Sequence, residues 1–204
     1  MHDVLNAFML LSNFLIVPAT AYGSQLALGA LGVTLVYGIL RFSNFAHGDT
    51  MAFGTMSVIL VTSVFQSMGI GIDPLPTALL AIPFGILATT AMVLISDRLV
   101  YRHQRKVRAA PVVFLISSIG LMFVLNGLVR FVIGTGDQRF SDGERFIIRF
   151  GEFKKLTGLD EGIAFKTSQG LTIVTAIIVV AALFWFLDRT RAGKSMRAYS
   201  DNED

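Results

Sequence analysis

Residues Arg41-Phe42-Ser43-Asn44-Phe45-Ala46-His47-Gly48-Asp49 form a polar cluster between two long apolar runs. Asn44 and His47 are its strong polar side chains that are neutral near pH 7. In lipid such a pair can relay a proton or help a solute past. It can equally close a polar turn, with its amide and ring meeting backbone groups freed at a helix break. Both readings are open. Asp49 follows where a carboxylate favours the N-terminus of the next helix through the helix dipole. A metal centre is not supported, because His2 and His103 lie elsewhere in the chain.

Asn126 and Arg130 lie one helical turn apart in a later apolar run. Arg130 is near the end of that run, where its head can snorkel to the interface. An amide at the depth of Asn126 bonds across to another helix. Asn44, His47, Gly48 and Asn126 are therefore the candidates for a translocation core. A second group lies in the tail, where Arg191, Lys194 and Arg197 recur every three residues directly after an apolar run. It reads either as a positive-inside anchor or as a docking helix for a cytosolic partner.

No enzyme template is present: GxSxG, HExxH, a Walker A lysine motif and paired carboxylates within a span are all missing from the sequence. The chain has no cysteine, which excludes disulfides and thiolate chemistry. No cofactor motif is found, and nothing in the chain can hydrolyse ATP on its own. The net charge of +3 comes with basic residues clustered at span ends. That is membrane topology and not a nucleic-acid face.

The elements that carry these groups follow from the charge map. Asp, Glu, Lys and Arg are missing from 4–40, 50–72, 74–96, 109–129 and 167–187. A bilayer core of about 30 Å needs about 20 helical residues, so the last four intervals each fit one span. The first is too long for one, and a break at Pro18 is expected to divide it. The expected spans are 5–17, 21–40, 50–68, 74–97, 111–133 and 170–187, followed by a tail over 188–204. A mean hydropathy of +0.66 and 53% hydrophobic residues agree. The fold class is all-α, a polytopic transmembrane helix bundle, read as one integral-membrane domain over 1–204.

Residues 19–21 have the A-x-A form of a signal-peptide cleavage site, but Met1-His2-Asp3 lacks the basic start of a cleavable signal. A retained first helix is the expectation. Residues 98–108 and 189–197 are basic without acids, which places both in the cytoplasm. The loop over 135–169 is then external, with six basic and six acidic residues in balance. Alternation at Phe146, Ile148 and Phe150 suggests a short strand ending at Gly151, in an extracytoplasmic hairpin or cap. Counting back puts the Arg41–Asp49 cluster on the cytoplasmic half and, if 5–17 crosses, the N-terminus inside. Ala30, Thr34 and Gly38 share one helix face for close packing or a smooth wall. Pro83 and Gly85 mark a kink or a packing site.

Two stretches resemble one family. Tyr37-Gly38 followed by Asn44-Phe45-Ala46-His47-Gly48-Asp49 is similar to the signature of the LivH-type permeases. These are membrane subunits of ABC importers for branched-chain and related amino acids or amides. Thr190-Arg191-Ala192-Gly193-Lys194-Ser195-Met196-Arg197-Ala198 resembles the start of that family's cytoplasmic coupling segment. The resemblance implies alternating access in a bacterial inner membrane. It also implies a second, LivM-like permease subunit, cytosolic ATPase subunits and a periplasmic binding protein as partners. Gly193, Lys194, Arg197 and Ala198 would belong to the docking element, and Asn44, His47 and Gly48 would lie at or near the core bundle. It further implies more spans beyond Asp204, so about a third of a typical permease is expected to be missing. The competing class is an ion-coupled carrier or channel subunit, which would need intramembrane charges for a coupling ion.

Overall fold

The computed structural model describes residues 2–40, 42–71, 76–138, 146–157 and 162–201. Arg41, the loop charges at 139–145 and 160–161, and tail residues 202–204 lie outside the described residues. The chain forms α1 (His2–Leu11), a π-helical segment (Ser12–Ile16), α2 (Val17–Leu40), α3 (His47–Ser67) and α4 (Ala78–Ser96). A second π-helical segment (Asp97–Tyr101), α5 (Arg102–Lys106) and α6 (Pro111–Ile133) follow. Last come β1 (Phe146–Ile148), α7 (Phe150–Thr157), β2 (Phe165–Lys166), α8 (Thr167–Arg189) and α9 (Arg191–Asp201).

Five helical stretches are long and apolar enough to cross a membrane: Val4–Ile39, His47–Ser67, Ala78–Lys106, Pro111–Ile133 and Thr167–Arg189. Their sides carry large exposed apolar residues, such as Phe123, Phe131, Ile177, Ile178 and Trp185. Water would penalise that surface heavily, and lipid does not. The protein is an all-α polytopic membrane chain.

The break expected at Pro18 is not there. Leu11 and Val17, at the two ends of the first π segment, both have helical backbone angles. The Val17 N–H bonds to the Ser12 carbonyl, five residues back, so the turn before the proline is widened. Widening displaces the carbonyl that a proline ring otherwise meets four residues back. The helix therefore runs through Pro18. Its 36 residues extend roughly 54 Å at about 1.5 Å per residue. It is one continuous helix, longer than a single crossing needs, where two helices were expected.

The chain divides into two compact units. One is Val33–Gly143. Within it α3 packs against α4 and α6. A Cβ on Gly54 would lie 2.6 Å from Thr89 Oγ1, and one on Gly85 would strike Val58 Cγ2. Gly54 thus faces Thr89 while Val58 faces Gly85, two four-residue steps that interlock between antiparallel helices. The missing side chains are what let the backbones approach. The Thr89 hydroxyl donates to Gly85 O at 2.7 Å, so no polar group is left over at this contact. Further along, Phe65 and Phe84 meet edge to face, 5.8 Å between centroids.

The other unit is Met1–Gly32 with Glu144–Asp204. Here β1 and β2 pair antiparallel, Phe146 opposite Lys166 and Ile148 opposite Phe165 with an irregular register. The strand is shorter than the alternation suggested, because Phe150 already begins α7. Gly170 in the first turn of α8 is buried, and a Cβ there would meet Phe165 and Ile147 at 2.8 and 3.0 Å. Asn13, in the first π segment, clamps the irregular segment that leads into β2. Its Nδ2 donates to Gly162 O, and its Oδ1 accepts from the Ala164 N–H at 2.8 Å.

Candidate functional site

The polar cluster is built as a hydrogen-bonded turn into α3. Asn44 Oδ1 accepts from the Ala46 N–H at 3.1 Å, an Asx turn. The Asn44 carbonyl accepts the His47 N–H at 3.3 Å. The Phe45 N–H bonds to Ser118 Oγ on α6 at 3.2 Å. Ser118 is fully buried. Its hydroxyl donates to Leu115 O at 2.7 Å, with Ser43 O a longer alternative at 3.4 Å. In a medium without water each of these donors must find a partner within the protein. The sequence Ser-Asn-Phe-Ala supplies them with one side chain from its own turn and one from α6.

Aromatic rings wedge the turn in place. Buried Phe42 lies 5.2 Å from Phe114 and 5.8 Å from Tyr101 between ring centroids. Tyr101 and Phe114 are parallel within 6° at 6.5 Å. The Tyr101 hydroxyl donates to Asn44 Oδ1 at 3.3 Å, giving that oxygen its second donor. Tyr101 closes the second π segment, so the wide turn in the α4–α5 helix aims this ring at Asn44. Close by, Gln104 Nε2 donates to Ser117 Oγ. Gln104 Oε1 is buried without a donor among the described residues.

Asn126 bonds across helices, as a mid-depth amide should. Its Nδ2 donates to Asp49 Oδ1 at 2.9 Å, joining α6 to the first turn of α3. Asp49 also sits where the helix dipole favours it. Asn126 is thus joined to the first turn of α3 through Asp49, and Asn44 builds the turn just before it. His47 and Gly48 are different from the rest. His47 is half-buried, and its imidazole makes no hydrogen bond among the described residues. Gly48 is exposed, and a Cβ there would enter open space. Asn44 is thus a turn-builder, as the polar-turn reading held, while the ring of His47 takes no part in that turn.

The tail is a second, separately built element. Thr190 has extended backbone angles and ends α8. Its hydroxyl donates to Phe186 O at 2.7 Å and accepts the Gly193 N–H at 3.0 Å. Gly193 is buried, with the Phe186 carbonyl and the Leu187 backbone where a Cβ would go. Arg197 is ion-paired with Asp188 on α8, and both side chains are more than half exposed. Lys194 and Ala198 are exposed on α9. Of the four tail residues singled out, Gly193 and Arg197 fix α9 to α8, and Lys194 and Ala198 face outward.

Ser118, Tyr101 and Gln104 had no place in the sequence reading. The signal for Ser118 was faint but present: Ser117-Ser118 interrupts an otherwise apolar stretch between Pro111 and Asn126. Asn13 was hidden in the first apolar run.

Residues 15–204 match the model of the family described as branched-chain amino acid transport system / permease component. The chain is 29% identical over 180 residues to the high-affinity branched-chain amino acid transport system permease protein BraD of Pseudomonas aeruginosa. It is 27% identical over 182 residues to the LivH permease protein of Salmonella typhimurium, and 27% over 188 to that of Escherichia coli K12. Each comparison covers 88% of this chain and 56% of the relative. The chain therefore spans little more than half the length of the relatives it matches. No solved structure matches it significantly. This multi-pass chain belongs to the branched-chain amino acid transport system permease component family.

Proposed function

We propose that this chain is part of the permease subunit of an ATP-binding cassette importer for branched-chain or related amino acids in the inner membrane. The single observation that carries the reading is the match across residues 15–204 to the permease family. Residues 188–204 would be the coupling segment of one integral-membrane domain over 1–204. A cytosolic ATPase subunit would press on α9, and ATP hydrolysis would fall to that partner. A second, LivM-like permease subunit would complete the pathway, and a periplasmic binding protein would deliver the amino acid.

The geometry supports this division of labour. A push on α9 reaches α8 through the Thr190 cap, the Gly193 contact and the Asp188–Arg197 pair. Lys194 and Ala198 present the outward face to a partner. The turn at Asn44 and the Asp49–Asn126 bond hold the cytoplasmic end of α3 to α6, and His47 and Gly48 would face the path or the second subunit.

Copurification with a tagged ATPase subunit from the same cells tests the reading. Lys194→Glu should abolish capture while leaving the chain in the membrane. Arg197→Glu should weaken it as well, through loss of the Asp188 pair. Capture indifferent to both would remove α9 from the docking role. Uptake in vesicles should follow ATP and ignore collapse of the proton gradient; the reverse would favour an ion-coupled carrier.

A further inference from the structure

We infer that the helix running from α4 into α5 carries a binding site for an anionic phospholipid, with the lipid phosphate held by Arg98 and Arg102. An open cleft of about 610 Å³ is lined by Leu94, Asp97, Arg98, Arg102, Arg105 and Lys106. Leu94, Arg98, Arg102 and Lys106 are spaced four apart, so they follow one another down one side of the helix. Leu87, two turns before Leu94, and Leu94 itself are exposed at 68% and 63%. An apolar strip therefore gives way to a cationic one along a single face. That succession matches a phospholipid lying against the helix, acyl chain on the leucines and headgroup on the arginines.

The cations are not spent on each other. Asp97 is the one acid among the described residues lining the cleft, and both its oxygens accept from Arg105 Nη2, at 2.7 and 2.9 Å. Among the described residues Arg98, Arg102 and Lys106 make no ion pair, which leaves their charge to a ligand. The Asp97–Arg105 pair fixes one wall. The π turn over Asp97–Tyr101 lies at the point where the apolar strip ends. A free anion would need only the charges. A lipid also explains the exposed leucines, and the negative cytoplasmic leaflet supplies it.

The test is a thermal-unfolding titration of the full chain in neutral detergent. The probes are phosphatidylglycerol, phosphatidylcholine and inorganic phosphate at equal headgroup concentration. Phosphatidylglycerol should raise the midpoint in a saturable way, and the other two should not. Arg98→Gln with Arg102→Gln should reduce the shift to the phosphatidylcholine level. Arg98→Lys with Arg102→Lys should keep part of it, and Arg130→Gln all of it. The proposal fails if phosphatidylglycerol gives no shift, or if phosphatidylcholine or inorganic phosphate reproduces it. It also fails if the double glutamine variant responds like the parent.

Discussion

Thr190 and Gly193 are joined twice: the Thr190 hydroxyl accepts the Gly193 N–H at 3.0 Å, and Gly193 lies against the backbone on which Thr190 rests. The same hydroxyl donates to Phe186 O, so one side chain closes α8 and opens α9. The Thr-x-x-Gly spacing is the spacing of an N-cap and its third helical residue. Glycine costs about 1 kcal/mol relative to alanine inside a helix, so its presence here is bought by space. Losing such a cap costs about 1 kcal/mol. Thr190→Ala should therefore raise amide exchange in residues 191–198 roughly fivefold, and Thr190→Ser should not. Gly193→Val should release α9 altogether. Unchanged protection in both would show that α9 is held by something else.

The Asp49–Asn126 bond should be measurable as a coupling. Cross-helix polar pairs in membranes contribute about 0.6 kcal/mol on average and up to about 1.7. Asn126→Leu strips the carboxylate of its amide partner, whereas Asp49→Asn keeps an acceptor oxygen for Asn126. A thermodynamic cycle over Asn126→Leu and Asp49→Leu should give a coupling of about 0.5–2 kcal/mol in detergent unfolding. Strict additivity would mean the 2.9 Å contact adds nothing to the fold.

How far these features could be read beforehand depends on their range. The spans followed from gaps between charges, a local property that lipid enforces, so the expected 111–133 coincides with α6. Asn44 as a turn residue was legible too, because an Asx turn is closed within three residues. Asn126 announced that it had a partner but not which one, since register between helices is set by packing. Gly54 and Gly85 show why: their meaning lies in Thr89 and Val58 on the facing helix. Pro18 misled because the widened turn that accommodates it is a backbone choice with no residue signature. Asn13, inside that turn, was invisible for the same reason.

The glycine interlock predicts a rescue. Gly85→Ala places a methyl group on Val58, and overpacking of this kind costs about 1–3 kcal/mol. Val58→Ala opens the same volume from the other side. Thermal unfolding should show Gly85→Ala destabilised and the double variant closer to the parent than either loss would add up to. A double variant with simply summed losses would separate the two helices at this point.

The N-terminus was expected inside only if residues 5–17 cross by themselves, and the continuous first helix predicts the opposite side. Asn13 is bonded to Gly162 and Ala164, just ahead of α8. At its far end α8 meets Arg189, Arg191, Lys194 and Arg197, which the positive-inside rule assigns to the cytoplasm. Thr167 and the strand before it are then external, and Asn13 is external with them. If the helix Val4–Ile39 crosses once, the exposed Val4 is expected on that same external side. The lack of native cysteine makes the check clean. An impermeant maleimide on intact cells should label Val4→Cys and leave Ser195→Cys untouched until the membrane is opened. Labelling of Ser195→Cys alone in intact cells would invert the whole arrangement. Protection of both would place Val4 on the inside, and the break at Pro18 would have to be restored.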